Sequence, residues 1–140
     1  MLVLIILSDI WRSGADVVLQ NGDLDLINYE NTPQGIIDEA IRQAAEIEKY
    51  LKSWEKESGV NKLMKQSILQ YCGWQTNDKL NKWLCSDSVA LNLLDTWCIT
   101  LAREGWSIYD DFRKYETAES NEMKMRYMEL AKAHKKKVKE

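Results

Sequence analysis

The sequence predicts a mostly helical α+β fold, in which a small α-β-β-α module precedes a helical bundle. Apolar residues recur at helical spacing along most of the chain, and one pair of short β-favouring runs interrupts them at Asn21-Gly22. Charge also divides the chain, because residues 1–57 hold five basic and eleven acidic side chains, whereas residues 58–140 hold fourteen and eleven. We therefore predict a helix-hairpin-helix module over residues 1–56, a helical module over 60–131 and a basic tail over 132–140.

The first module begins with a helix and a hairpin. Apolar residues recur at helical spacing from Leu2 to Ile10, and Gly14 is a suitable residue to end that helix. Two β-favouring runs follow, 15–20 and 24–29, on either side of Asn21-Gly22. This pair favours a type I′ hairpin turn, since both of its central residues need positive φ.

A long helix is predicted to complete the first module. Thr32 is a favourable N-cap and Pro33 is tolerated at the first helical position. An apolar stripe then continues from Ile36 to Leu51, which is more than four helical turns. We predict one continuous helix here, followed by a boundary between the modules at Glu55 to Gly59.

The second module is predicted to contain five helices. The first ends at Gly73, the second carries Leu80 and Trp83 inward, and the third is strongly apolar and ends at Gly105. Ile108 is predicted to open a fourth helix with Tyr109 and Phe112. The fifth has an apolar face from Met123 to Ala131 and runs into the tail. Trp83 and Trp97 lie on apolar faces and are assigned to the core.

Cysteine usage and the apolar start indicate the cellular compartment. Cys72, Cys85 and Cys98 form no CxxC pair and have no neighbouring histidine, so we predict free thiols in a reducing compartment. The apolar run from Met1 to Leu7 is too short for a membrane span and lacks the basic leader of a signal peptide. We expect a soluble, cytoplasmic protein that does not contact membranes.

The sequence offers little support for catalysis. Acid–base and nucleophilic catalysis most often use a histidine or paired carboxylates in a cleft, and the single histidine, His134, lies in the lysine-rich tail. Phosphate-binding loops, nucleophile elbows and HExxH motifs do not occur. Asp110 and Asp111 with Glu116 and Glu119 could bind a divalent cation, but acidic pairs on helices are usually solvated. We expect a non-catalytic binding protein with no cofactor and no metal.

Residues 1–52 carry a resemblance to a known family through the stretch LSDIWRSGADVVLQNGDLDLINYENTPQGIIDEAIRQAAEIEKYL. A short helix ended by Gly14, a hairpin and a helix opened by Thr32-Pro33 make it resemble the TubC-type N-terminal docking domains of multi-enzyme peptide and polyketide synthetases. Such a domain captures a tail of the preceding enzyme by β-strand addition to its hairpin. The resemblance implies that the edge strand, Asp23 to Glu30, is a docking surface. Similar stand-alone modules precede short helical tails in small proteins of bacterial phages and mobile elements, and this chain looks like them.

The predicted docking surface is acidic. Asp23, Asp25 and Glu30 lie along it, so charge complementarity favours a basic or neutral partner protein. Ile27 and Tyr29 share one strand face with Asp25, because side chains alternate along a strand. Alternatively, the hairpin only covers the two helices, since a lone hairpin needs such packing to be stable.

Three tryptophans are candidate anchors for the same partner. Trp54, Trp74 and Trp106 lie at predicted helix ends or turns, where we expect them to be exposed. A partner would bury them, and buried aromatic anchors dominate many binding energies. The partner is expected to be another protein of unspecified identity, with a second copy of the chain as a further candidate.

Residues 62–84, KLMKQSILQYCGWQTNDKLNKWL, favour an alternative function. Two short helices joined by a glycine-containing turn resemble a helix-turn-helix of small phage terminase-type proteins, which would bind DNA. Thr76 is predicted to cap the second helix, and the exposed residues that could contact bases or phosphates are Gln75, Asn77, Lys79 and Lys82. The sequence pI of about 5.3 argues against strong nucleic-acid binding.

The basic tail has two interpretations. Its lysines are Lys132, Lys135, Lys136, Lys137 and Lys139. They could contact phosphates or an acidic surface. We favour a solvated helix end, where lysines also interact favourably with the helix dipole.

Overall fold

A computed structural model describes the backbone of residues 2–139 and the side chains as far as Lys137. A helix, a β-hairpin and six further α-helices follow one another in that range, so the predicted mostly helical α+β fold is confirmed. None of the helices within residues 2–139 has the length and apolar character that crossing a bilayer requires.

The helix and hairpin at the start of the chain form as predicted. Helix α1 spans Leu2–Arg12, and Gly14 follows it with a φ of +92°. Strands β1 (Asp16–Gln20) and β2 (Asp23–Ile27) pair antiparallel in register around the turn. Asn21 and Gly22 have φ of 53° and 84°, which are the two positive values that a type I′ turn needs.

The predicted long helix is wrong, because the chain forms two helices there. Helix α2 spans Gln34–Arg42 and α3 spans Ala44–Glu55, and the helix is interrupted at Gln43, with φ −101° and ψ 17°. The two halves have different neighbours: α2 packs mainly on α1, whereas α3 also packs on both strands. The break lets each half follow its own packing surface. Ile41, at the break, is left 68% exposed.

The predicted N-cap of this element is also wrong. Pro33 holds the N-cap position of α2. Thr32 is buried, and its hydroxyl lies 2.6 Å from the hydroxyl of Ser13. Thr32 therefore joins the end of α1 to the start of α2 instead of capping the helix.

Polar caps and glycines delimit the remaining helices. These are α4 (Gly59–Tyr71), α5 (Asp78–Ser86), α6 (Ser88–Arg103) and α7 (Ala118–Lys139). The side chains of Ser58, Asn77 and Asp87 each accept a backbone N–H at the start of α4, α5 and α6. The cap of α5 is thus Asn77, and the prediction of Thr76 is wrong by one residue. Both positions carry residue types that favour caps.

The predicted helix from Ile108 does not form, apart from a 3-10 turn at Phe112–Lys114. Local side chains bind the backbone there and compete with helical hydrogen bonds. The Asp110 carboxylate accepts the backbone N–H of Asp111 at 2.8 Å, and Asp111 in turn accepts that of Arg113 at 3.0 Å. Trp106 donates its indole N–H to the Asp110 carbonyl at 3.0 Å. These bonds hold the segment as a loop against the bundle.

Two hydrophobic cores interlock across the predicted boundary. The first surrounds Leu7 and Ile10 of α1, and the second surrounds Trp97 of α6. Trp54 of α3 belongs to the second core, whereas Trp74, from the turn before α5, belongs to the first. The chain passes between modules at residues 56–58, but the packing is shared.

Candidate functional site

The outer edge of β2 presents main-chain groups that no other described residue binds. The register pairs Gln20 with Asp23 and Val18 with Asp25. In a hairpin with a two-residue turn, the residue pair beside the turn forms two main-chain hydrogen bonds with each other. Along the strands, hydrogen-bonded pairs then alternate with pairs that are not hydrogen-bonded. The N–H and C=O groups of Leu24 and Leu26 therefore point away from β1, and among the described residues no backbone bond outside the hairpin reaches them.

Side chains divide this edge into an apolar face and an acidic face. Leu24 and Leu26 are half-buried against the first core. Asp23 and Asp25 are exposed on the other face, and Ile27 is half-buried. We call the outward main-chain groups of Leu24 and Leu26, with the carboxylates of Asp23 and Asp25, the open edge.

The open edge is shorter than the sequence predicts. Asn28 has a φ of 55°, a left-handed conformation that ends the strand at Ile27. Tyr29 and Glu30 are exposed but lie in the turn that follows, where the Tyr29 carbonyl accepts the N–H of Thr32 at 3.0 Å. The prediction that the strand edge extends to Glu30 is therefore wrong, although both side chains border its end.

The opposite edge of the hairpin is partly occupied. Val17 lies at a position of β1 whose N–H points outward, and the Asp16 carboxylate accepts that N–H at 2.8 Å. The same carboxylate accepts the indole N–H of Trp11 at 2.9 Å, and α1 packs along β1. Leu19 is the other outward-facing position of β1, and its main-chain groups have no partner among the described residues. Because both outward-facing positions of β2 are free, β2 carries the edge that is more open to the addition of another strand.

The three predicted aromatic anchors are buried, so they do not supply an exposed binding surface. Trp54, Trp74 and Trp106 are 6%, 4% and 8% exposed. Trp74 stacks between Trp11, with ring centroids 6.2 Å apart, and Tyr109, at 5.6 Å. Their positions at helix ends and turns gave the wrong expectation, because these turns fold back onto the cores.

Two cations that the sequence did not single out lie close to the Trp54 ring. The Arg113 guanidinium carbon is 3.9 Å from the Trp54 ring centroid, and Lys65 Nζ is 4.9 Å from it. Arg113 also pairs with Asp111 at 2.6 Å and with Glu57 at 3.1 Å. Burial lowers the pKa of Lys65 from 10.5 to about 8. Lys65 sits on α4 at a helical position beside Met64 and Ile68, and that adjacency was its only signal in the sequence.

The lowered pKa of Lys65 predicts a pH-dependent stability. Between about pH 8 and pH 9.5 the folded protein loses the Lys65 proton while the unfolded chain keeps it, so Lys65 alone should raise the free energy of unfolding by about 2 kcal/mol. Burial raises the pKa of the Cys98 thiol from 9.0 to about 12, which lowers the free energy of unfolding over the same range. The change from pH 8 to pH 9.5 should therefore be about 2 kcal/mol more positive in wild type than in Lys65→Met, as measured by urea unfolding at both pH values. Lys62→Met, an exposed lysine of the same helix, is the control and should behave as wild type. An equal change in wild type and Lys65→Met would contradict the assignment. Above about pH 10 the free energy of unfolding falls further, because burial raises the pKa of Tyr50 to about 12.

Some of the residues predicted to contact DNA are engaged in the fold, and the others are exposed. Leu80 and Trp83 are buried, as predicted. The Asn77 side chain is engaged as the α5 cap, accepting the Leu80 N–H at 3.0 Å. Gln75 is half-buried beside Trp74, in a groove of about 550 Å³ between the end of α1 and this turn. Thr76, Lys79 and Lys82 are exposed.

The described part of the basic tail continues helix α7, and His134 brings it into contact with α5. His134 stacks on Trp83, with ring centroids 5.9 Å apart and planes inclined by 27°, and Tyr127 contacts the same indole at 5.1 Å. The side chains of Lys132, Lys135, Lys136 and Lys137 are exposed. The lysines therefore extend an ordered helix beside α5.

Three of the four carboxylates considered as cation ligands, those of Asp110, Asp111 and Glu116, are engaged in structural contacts, and Glu119 is exposed. The Asp110 carboxylate accepts the Tyr115 hydroxyl at 2.5 Å, and Glu116 pairs with the buried Lys124. Within the described residues no group of three or more His, Cys, Asp or Glu side chains is placed to hold a metal ion. Burial raises the pKa of the Cys98 thiol to about 12, which disfavours the nucleophilic thiolate.

Comparison with known proteins gives no relative. No protein-family model, no curated protein and no solved structure matches the chain.

Proposed function

We propose that this protein is a non-catalytic adaptor or inhibitor that binds an extended segment of a partner protein by β-strand addition to the open edge. The unpartnered N–H and C=O groups of Leu24 and Leu26 carry the proposal. Two residues of an incoming strand can form hydrogen bonds with these groups, as other hairpin and sheet edges do with extended peptides. The Asp16 carboxylate already binds the outward N–H of Val17 on β1, which favours the edge of β2 for binding.

The partner segment should be basic or neutral. Asp23 and Asp25 project from the open edge, Glu30 lies just beyond it, and residues 1–57 carry an excess of acidic side chains. An added strand places alternate side chains opposite these carboxylates, where opposite charges stabilise and like charges destabilise the pairing. A segment that alternates lysine or arginine with β-branched residues would adopt the extended conformation that strand addition needs and would place positive charges opposite the carboxylates.

The order of elements supports the same function. Helix α1, the hairpin and the helices α2 and α3 form the arrangement that resembles TubC-type docking domains, which capture a tail at the hairpin edge. In this chain the helix is broken at Gln43, and the proposal does not depend on that helix. A small protein of a phage or mobile element is the setting that we propose.

Defined peptides test the proposal. A fluorescent peptide of alternating lysine and valine is expected to bind, and one of alternating glutamate and valine is expected not to bind. Replacing Asp23 and Asp25 with lysine should weaken binding at least about tenfold, because each reversed pair costs about 1 kcal/mol. Titration by fluorescence anisotropy measures both.

A matched variant controls for net charge. Glu104→Lys and Glu122→Lys make the same charge change at exposed positions outside the first module, and should change the affinity less than about twofold. Equal losses in the two double variants, or equal binding of the two peptides, would rule out recognition at the open edge.

A further inference from the structure

Two basic segments that are far apart in the sequence meet where His134 stacks on Trp83. Lys79 and Lys82 are exposed on α5, and α7 adds exposed lysines before and after His134. The ring stack joins the two helices at this point. We call these exposed lysines together the basic face, and its members are Lys79, Lys82, Lys132, Lys135, Lys136 and Lys137.

The lysines of the basic face carry charge that the protein does not neutralise. None of the six forms an ion pair with a carboxylate in the described part of the chain. By contrast, Lys52 pairs with Glu48, Lys114 with Asp110, and Lys124 with Glu116. The whole chain has a net charge of −3, and the exposed Asp78 lies beside Lys79. The other exposed cations without an ion pair in the described residues are at least six positions apart in the sequence, whereas the basic face groups four lysines within residues 132–137; those others are Lys49, Lys56, Lys62, Arg103 and Arg126. Such concentration favours a polyanionic ligand.

We propose that the basic face binds the phosphate backbone of duplex nucleic acid without reading the base sequence. Two of the residues predicted to read bases are not free to do so, because Asn77 caps α5 and Gln75 is half-buried beside Trp74. Thr76 remains exposed together with Lys79 and Lys82. Lysines remain, and lysines contact phosphates as point charges. This binding uses the second module, so it is independent of the open edge.

The surroundings favour nucleic acid over a membrane surface. Helices that bind membranes combine a basic face with large apolar side chains that enter the lipid. The large apolar side chains that are exposed in residues 2–137 do not lie on α5, nor on α7 beyond Met125. Helices α5 and α7 present lysines without exposed large apolar side chains beside them, and this combination favours the phosphate backbone of a duplex over a lipid surface.

Salt-dependent binding of a duplex tests the proposal. Fluorescence anisotropy with two DNA duplexes of unrelated sequence, titrated from about 50 to about 200 mM KCl, should give similar affinities for both duplexes and a steep salt dependence. Replacing Lys79 and Lys82 with glutamine should reduce the slope of log K against log salt by about 2, because each phosphate contact contributes about 0.9. The affinity at about 100 mM KCl should fall at least about fivefold.

Control variants and a second ligand define the contrary results. Lys49→Gln with Lys56→Gln removes the same charge from exposed positions of the first module and should leave the slope unchanged. Circular dichroism verifies that each variant remains folded. No duplex binding at about 50 mM KCl, an equal loss in the control, or a preference of about tenfold for one sequence would overturn the proposal. Binding to phosphatidylserine vesicles without binding to duplex would overturn it in favour of a membrane ligand.

Discussion

Replacing Trp97 with alanine is expected to lower the free energy of unfolding by about 3 to 5 kcal/mol. Trp97 is fully buried at the centre of the second core. Its ring packs edge-on against Phe112, with ring centroids 5.2 Å apart, and against Trp106, with centroids 6.3 Å apart. These contacts hold the loop of residues 106–117 against α6. The indole N–H has no hydrogen-bond partner among the described residues, so the loss comes from packing. Domains of this size have only about 5 to 15 kcal/mol of stability.

Urea unfolding followed by circular dichroism measures this loss, with a control on the same helix. Ile99 is 46% exposed, and Ile99→Ala should cost less than about 1 kcal/mol. Similar losses for the two substitutions would contradict the position of Trp97 at the centre of the core.

Replacing Trp74 with alanine should be about as destabilising, again by about 3 to 5 kcal/mol, and the effect should reach both modules. Trp74 comes from the turn between α4 and α5 but fills the first core between Trp11 and Tyr109. Leu69 joins it there. The first core is therefore incomplete without the second module, and a fragment of residues 1–57 is expected to be largely unfolded.

The control for Trp74 is Tyr71→Ala. Tyr71 lies three residues earlier and is 49% exposed, so its replacement should cost less than about 1.5 kcal/mol. Helix content and one cooperative unfolding transition in the 1–57 fragment would show that the modules fold separately, contrary to this prediction.

Local signals made some elements predictable. Asn21-Gly22 determines its turn through the φ preferences of the two residues, and Gly105 after α6 acts in the same way. The break at Gln43 was not predictable, because the apolar stripe continues through it. Helices α2 and α3 pack on different neighbours, and these neighbours come together only in the folded chain.

The burial of Trp54, Trp74 and Trp106 was unpredictable for a related reason. Their positions at helix ends and turns describe the local backbone, while burial depends on where each turn is folded. The Arg113 guanidinium that covers Trp54 comes from 59 positions further along the chain. Contacts of that range leave no periodic pattern in the sequence.

The candidate surfaces were predictable in part. Alternation along β2 placed Asp25 outward correctly, but identifying Leu24 and Leu26 as the residues with free main-chain groups required the observed register. The basic face combines Lys79 and Lys82 with lysines at least 50 positions away, through a stack of His134 on Trp83 that the sequence did not reveal.

Amide hydrogen exchange along β2, measured residue by residue by NMR, tests the proposed strand addition most directly. In the free protein the Leu24 and Leu26 amides should exchange faster than the Asp25 amide, which is bonded to β1. Saturation with the lysine–valine peptide should slow exchange at Leu24 and Leu26 by at least about tenfold and leave Asp25 unchanged. Unchanged exchange at Leu24 and Leu26 while the peptide is bound would contradict strand addition at the open edge.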